Sequence, residues 1–180
     1  KYNKKLYSKI SEHIGKIPLV MISPYDQDLI QGGSEVRRKF LDGVISQIDN
    51  LYLEELLQYQ KALEQRNKLL KRFYEDRHFD EAMLQLWDEQ LVRLGMPIYE
   101  KRNIFLAKFI PIFNKYYTMI SAVEEPVLID YESQLHNETF IDLLRNSWTK
   151  DAYTQYTTVG VHKDDLNFKI GEEAFSIKKF

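Results

Sequence analysis

Residues 80–120 read DEAMLQLWDEQLVRLGMPIYEKRNIFLAKFIPIFNKYYTMI. Leu84, Leu91, Ile98, Phe105, Ile112 and Met119 recur at a strict seven-residue spacing, joined by Trp87 and Leu94. Heptads sustained over this length argue for a helical seam of the coiled-coil kind. Phe79 and Leu84 are placed to form a hydrophobic staple around a helix start near Asp80. Pro97 and Pro111 interrupt the run and are expected to kink or segment it. Before this stretch, Asp49 and Asn50 can cap a helix running to about Asp76. It carries Leu56, Leu63 and Leu70 at the same spacing, with Tyr59 and Phe73 near the intervening positions. The simplest packing is an antiparallel helical hairpin. A helical bundle core would show the same periodicity.

Working outward, residues 20–42 read VMISPYDQDLIQGGSEVRRKFLD. Residues 17–23 form an apolar run of strand length, ended by Pro24. Residues 25–31 suit a turn or one helical turn, which Gly32 and Gly33 break. Ser34 is the expected N-cap of a helix over residues 35–48, with Glu35 in the first turn where the dipole favours an anion. Residues 4–14 can form a short basic helix, with Gly15 as its stop.

On the other side of the hairpin, residues 127–134 alternate as a strand does. Thr139 and Asp142 can cap a helix whose apolar face is Phe140, Leu143, Leu144 and Trp148. Residues 157–161 and 166–170 look extended, and Gly171 with Glu172 can turn the chain into a hairpin over residues 174–179. The expected fold class is α+β and predominantly helical: a long antiparallel helical hairpin arm flanked by short strands.

Composition narrows the function. The 180 residues are 44% hydrophobic and 29% charged, enough to bury a core and unlike a disordered chain. The net charge of −2 makes the whole chain no generic polyanion binder, so any nucleic-acid contact must come from a local basic patch. There is no cysteine, which removes disulfides, thiolate nucleophiles and Cys-ligated metals. No apolar run is long enough to span a bilayer, and no signal-peptide pattern opens the chain. The first residue is Lys and the last residues read as strand, so both ends are expected to be cuts within a longer protein.

No G-x-x-x-x-G-K-[ST] loop and no G-x-G-x-x-G fingerprint occurs. The four histidines, His13, His78, His136 and His162, are scattered without metal-ligand spacing. Two stretches stand out. Arg37, Arg38 and Lys39 follow the glycine pair at a helix start, where cations oppose the dipole. Either a phosphate backbone or acidic partner favours them, or they lie on a solvated face paired with Glu35 or Asp42. Gly160-Val161-His162-Lys163-Asp164-Asp165-Leu166 makes a tight polar turn, or else an ordinary connection. Lys61, Arg66, Lys68, Lys71 and Arg72 form a weaker patch, diluted by Glu64, Glu75 and Asp76, that reads as a solvated face.

Five stretches, taken in order, carry a resemblance. They are Ser23-Pro24-Tyr25-Asp26; Gly32-Gly33 followed by Arg37-Arg38-x-Phe40-Leu41-Asp42; Gln65-Arg66-Asn67-x-Leu69-Leu70; Trp87-Asp88-x-Gln90-Leu91; and residues 157–166, TTVGVHKDDL. As an ordered set spanning nearly the whole chain, they resemble the RecF family of bacterial DNA replication and repair proteins, relatives of SMC and other ABC-type ATPases. Ser34 and Val161 stand where the family often has Pro.

The resemblance implies that this chain is the second lobe and arm of a split ABC-type ATPase head. The phosphate-binding loop would precede it, and the signature and Walker B motifs would follow. Residues 1–48 would lead out of the head, 49–121 would form the arm, and 122–180 would return toward it. The fragment is expected to be inactive alone and to carry no cofactor, with ATP and Mg bound by the full-length parent. The parent would be a cytoplasmic protein of recombinational repair and the SOS response. It would bind single-stranded and gapped duplex DNA under ATP control, dimerise on ATP, and help RecO and RecR load RecA. Arg37, Arg38 and Lys39 are the expected DNA-binding cations, contributing charge to that surface or to its support. Asp26, Gln27, His162 and Lys163 are the candidates for the nucleotide or the junction with the head. The competing reading is a non-enzymatic helical scaffold that binds a protein partner through its arm; a free-standing small enzyme is disfavoured by the missing motifs.

Overall fold

The computed structural model describes residues 13–17, 19, 21–121 and 127–170. A 3-10 turn, Pro24–Gln27, leads into the single turn α1 (Asp28–Gln31). The helices α2 (Ser34–Ile48), α3 (Asn50–Asp76) and α4 (Glu81–Ser121) follow, then β1 (Val127–Glu132), α5 (Phe140–Thr154) and β2 (Asp165–Ile170). The strands pair antiparallel, with Val127 opposite Ile170 and Glu132 opposite Asp165.

The antiparallel hairpin is formed by α3 and α4. Asp49 caps α3, its carboxylate accepting from the Tyr52 amide at 2.9 Å. The turn at the tip uses Arg77 in the left-handed region (φ 50°), and Asp80 then accepts from the Met83 amide at 3.0 Å to start α4. Phe79 rests against the rings of Phe73 and Trp148. Leu84, Leu91 and Ile98 are fully buried, as the heptad requires.

The seam also holds a second seven-residue series that is not apolar. Tyr52, Tyr59 and Arg66 on α3 meet Arg102, Gly95 and Asp88 on α4, layer by layer. Gly95 is needed because a Cβ there would stand 2.6 Å from the Phe140 ring and 3.1 Å from the Tyr59 ring.

Several expectations are corrected. Ile112 and Met119 are exposed, because α4 outruns its partner: α3 begins opposite Arg102. Past that layer α4 instead half-buries Phe105, Phe109, Phe113 and Tyr117, whose rings lie 5.5–6.1 Å apart in sequence and pack on the core beside β1 and β2. The four-residue spacing replaces the seven-residue one where the facing surface changes from helix to sheet. Pro97 and Pro111 do not segment α4, which runs unbroken through both. Ser34 is not the N-cap. Gly33 holds that position and Ser34 is already helical.

The described residues of the apolar run at 17–23 form no strand, and Ile17, Leu19, Met21 and Ile22 are exposed. The described sheet has two strands, and neither pairs with this run, so its backbone has no ladder there. Residues 157–161 are an irregular loop ending in a 3-10 turn, Val161–Lys163, rather than extended chain. Gly160 at φ 116° breaks the extension. Arg66 is not on a solvated face but is 0% exposed. The proposed helix at 4–14 lies almost wholly outside the described residues, and the hairpin at 171–179 lies wholly outside them.

Candidate functional site: a polar loop clamped by the arm

The loop of residues 157–165 is where Arg37 and Arg38 of α2 meet Arg66 and Asn67 of α3. Asn67 accepts from the Thr157 amide at 2.8 Å, and Arg66 Nη1 donates to Thr157 Oγ1 at 2.9 Å. Gln134 Oε1 accepts from the Gly160 amide at 3.2 Å. Arg102 Nη1 donates to the Val161 carbonyl at 2.8 Å and to the Asp164 carboxylate at 2.9 Å. A Cβ on Gly160 would stand 2.7 Å from the Phe140 ring and 2.9 Å from the Tyr59 hydroxyl, so glycine is required by both space and backbone angle.

Two buried charge clusters hold this loop. In the first, Arg66 Nε donates to Asp88 at 2.6 Å and Nη1 to Asp151 at 2.7 Å. Trp148 Nε1 donates to Asp88, and Ser147 and Thr158 donate to Asp151. Burial pushes the Asp88 carboxyl up, against the pull of Arg66. In the second, Arg102 bridges Asp42 of α2 and Asp164, while the Tyr52 and Tyr131 hydroxyls donate to Asp42 and Asp164. Burial pushes the Asp164 carboxyl up, with Tyr131 and Arg102 opposing it. For Arg102, burial disfavours the charge, but Tyr52, Asp42, Tyr131 and Asp164 together hold its proton more firmly than usual. Buried pairs of this kind contribute little net stability, yet losing one partner is costly because the other is left buried and uncompensated.

His162 Nε2 meets the Thr157 carbonyl at 3.1 Å, so that nitrogen carries the proton, and Nδ1 accepts from the Tyr59 hydroxyl at 2.9 Å. Burial lowers its pKa to about 4, with Lys163 and Arg38 adding to the effect. The ring is therefore neutral near pH 7. Beside it, Lys163 is exposed, with Nζ 5.0 Å from the centre of the Tyr156 ring.

The three cations of α2 have different surroundings. Arg37 is 3% exposed; its guanidinium grips Asp165 with two bonds, 2.7 and 3.2 Å, and donates to the Leu29 and Gly32 carbonyls. Arg38 is half-buried and donates to the Asp164 carbonyl at 2.6 Å, which brings it to the same loop as His162 and Lys163. Lys39 is exposed and pairs with Glu35 at 2.7 Å. Asp26 closes a capping box with Ser23, accepting from the Ser23 amide at 2.9 Å. With Arg37 it also lines an apolar cavity of about 260 Å³ walled by Phe105, Phe109 and Phe113. Gln27 is exposed and gives no side-chain cap to α1. Among the described residues no group of His, Asp and Glu is arranged to hold a metal.

Arg102, Asp88, Asp151 and Tyr59 were not singled out as site residues from the sequence. The signal for two of them was present: Asp88 and Arg102 lie fourteen residues apart, in step with the apolar heptad.

The chain is 51% identical, over all 180 residues, to the DNA replication and repair protein RecF of Flavobacterium johnsoniae, and 45% identical over 179 residues to that of Bacteroides fragilis. A solved structure described as the recombination mediator protein RecF-ATPrS in the RecFOR pathway superposes with a TM-score of 0.86 at 33% identity, covering 97% of this chain. This chain is a segment of the RecF family. The segment spans about half the length of the relatives it matches: 50% and 47% of the two RecF proteins and 48% of the solved RecF chain. No protein-family model matches it. All five stretches of the RecF resemblance fall on the elements just described. Arg66, Asp88 and Thr157 come from three of them and meet in one buried cluster.

Proposed function

We propose that the segment is the second lobe and arm of a RecF protein that binds single-stranded and gapped duplex DNA under ATP control. In this reading it helps RecO and RecR load RecA during recombinational repair and the SOS response. Residues 1–48 lead out of the ATPase head, 49–121 form the arm, and 122–180 return to the head. ATP and Mg belong to the full-length protein, which dimerises on ATP and acts in the cytoplasm; the segment alone has no ATPase activity. The observation that carries the reading is the convergence of the RecF-like stretches on the 157–165 loop, within a fold matched along its length by a RecF structure solved with an ATP analogue.

The site residues divide by their surroundings. Arg37 supports the DNA surface by fixing Asp165 and the turn before α2, while Arg38 and Lys39 supply charge to it. His162 and Lys163 belong to the junction with the head, and Asp26 and Gln27 face the nucleotide side. The test is fluorescence anisotropy of the full-length protein with a gapped duplex, with and without ATP, across a salt series. Salt-sensitive binding that ATP strengthens supports the reading. Binding indifferent to ATP, or none at low salt, overturns it.

A further inference from the structure

The 157–165 loop is anchored by Arg66, Asn67, Tyr59, Arg102 and Gln134, which reach it from two helices and a turn. A loop held this way gives up little additional freedom when it meets a ligand. Of its charged side chains, Asp164 is buried under Arg102, Asp165 is gripped by Arg37, and Lys163 is exposed.

Lys163 is not an isolated surface lysine. Its ammonium is disfavoured first by partial burial, then by the positive charges of Arg38 on α2 and Lys150 on α5. Arg38, which reaches the loop through its bond to the Asp164 carbonyl, is disfavoured by burial and by Arg102, while Asp165, Asp164 and Asp42 pull the other way. Asp151 pulls the other way, but its carboxylate already accepts from Arg66, Ser147 and Thr158. Among the described residues, neither Lys150 nor Lys163 has a carboxylate in ion-pair range. Two lysines that lack an ion-paired carboxylate and repel each other are unfavourable in the free protein, and an anion relieves that.

The charges come from three separate elements, and the half-exposed ring of Tyr156 lies beside them. Cations spread over three elements suit a linear polyanion better than a single compact phosphate, and the tyrosine offers a ring for a base or sugar to lie against. We infer that Lys163, Lys150 and Arg38, with Tyr156, form a contact surface for the phosphodiester backbone of nucleic acid, with Lys163 at its centre. This rests on the DNA-binding reading above and revises it: the phosphate contacts centre on the clamped loop rather than on Lys39, and Lys163 faces DNA rather than the head, which leaves His162 at the junction.

The experiment uses the full-length protein, a gapped duplex, and the variants Lys163→Gln, Lys150→Gln/Lys163→Gln and Lys163→Arg. ATP binding is measured in parallel. The expected result is about a tenfold loss of DNA affinity for the double variant, with the salt slope reduced by roughly 0.9 for each phosphate contact removed. Lys163→Arg should bind as the parent does, and ATP affinity should not change. If the parent binds DNA and the double variant binds equally well with the same slope, the surface is wrong while the DNA reading stands. If the double variant instead loses ATP affinity, the phosphates it meets are the nucleotide's and the inference falls. If the parent itself does not bind DNA, both readings fall together.

Discussion

Arg102 of α4 and Asp164 of the loop are joined at 2.9 Å, and both are buried. The pair ties the middle of the helical arm to the start of β2, 62 residues away. Removing the guanidinium would leave Asp164 and Asp42 without their cation in a site where burial already disfavours the Asp164 charge. Arg102→Met should therefore lower unfolding stability by about 3–5 kcal/mol, read from urea denaturation. The double change Arg102→Met/Asp164→Asn should recover part of that loss, since it removes the stranded charge. Equal losses in the single and double variants would show that the pair is not the source of the effect.

Arg37 and Lys39 are neighbours in sequence with opposite environments. Arg37→Ala removes both guanidinium bonds to Asp165 and frees two carbonyls, so a loss of about 3 kcal/mol is expected. Lys39→Ala should leave the unfolding midpoint where it was, because its pair with Glu35 is wholly in solvent. Thermal melts of the two variants side by side test the contrast. Similar melting points would mean that the grip on Asp165 is not maintained in solution.

Apolar periodicity locates the hairpin and the strands near 127–132 and 165–170, and capping chemistry places the start of α5 at Thr139. Periodicity failed where polarity is buried. Arg66 looks like one of five cations on a helix face, and nothing local distinguishes it from Lys68. The difference is set by Asp88 and Asp151, 22 and 85 residues away. The clue was the register: Arg66 continues the seven-residue series of Tyr52 and Tyr59, and Asp88 and Arg102 run in step with the apolar heptad opposite. Distant charges placed in phase with two facing heptads are candidates for a buried pair. The run at 17–23 failed for the converse reason, since apolar content cannot by itself say which strand will pair with it.

Two glycines crowd the same pair of rings for different reasons. At Gly95, an added Cβ meets Phe140 and Tyr59 inside the helix seam, and Gly95→Ala should cost about 1–3 kcal/mol through overpacking. Shortening the ring with Phe140→Leu should recover part of that in the double variant. Gly160→Ala meets the same rings but also sits at φ 116°, so Phe140→Leu should not rescue it. The two double-mutant cycles, read by thermal melts, distinguish crowding from backbone strain. Equal rescue at both positions would remove the strain argument.

His162 sets an acid limit on the loop. Its pKa in the folded state, about 4, lies below the ordinary histidine value, so between about pH 4 and 6.5 the unfolded chain binds a proton that the folded one does not. Stability from this group is fully present above the unfolded value and falls as the pH drops from 6.5 toward 4. The shift is worth up to about 3 kcal/mol at 1.36 kcal/mol per unit. Asp88 and Asp164 act with the opposite sign: burial raises their pKa values, so in the folded state they favour acid. The histidine's part is therefore isolated by the difference between the parent and His162→Gln, measured by urea unfolding at several pH values. The expected difference shrinks by up to about 3 kcal/mol from pH 7 to pH 4, because only the parent carries this titration. An NMR titration should place the His162 ring well below the ordinary histidine value. A His162 midpoint near 6.5 would mean that its bonds to Tyr59 and Thr157 do not hold the neutral ring in solution.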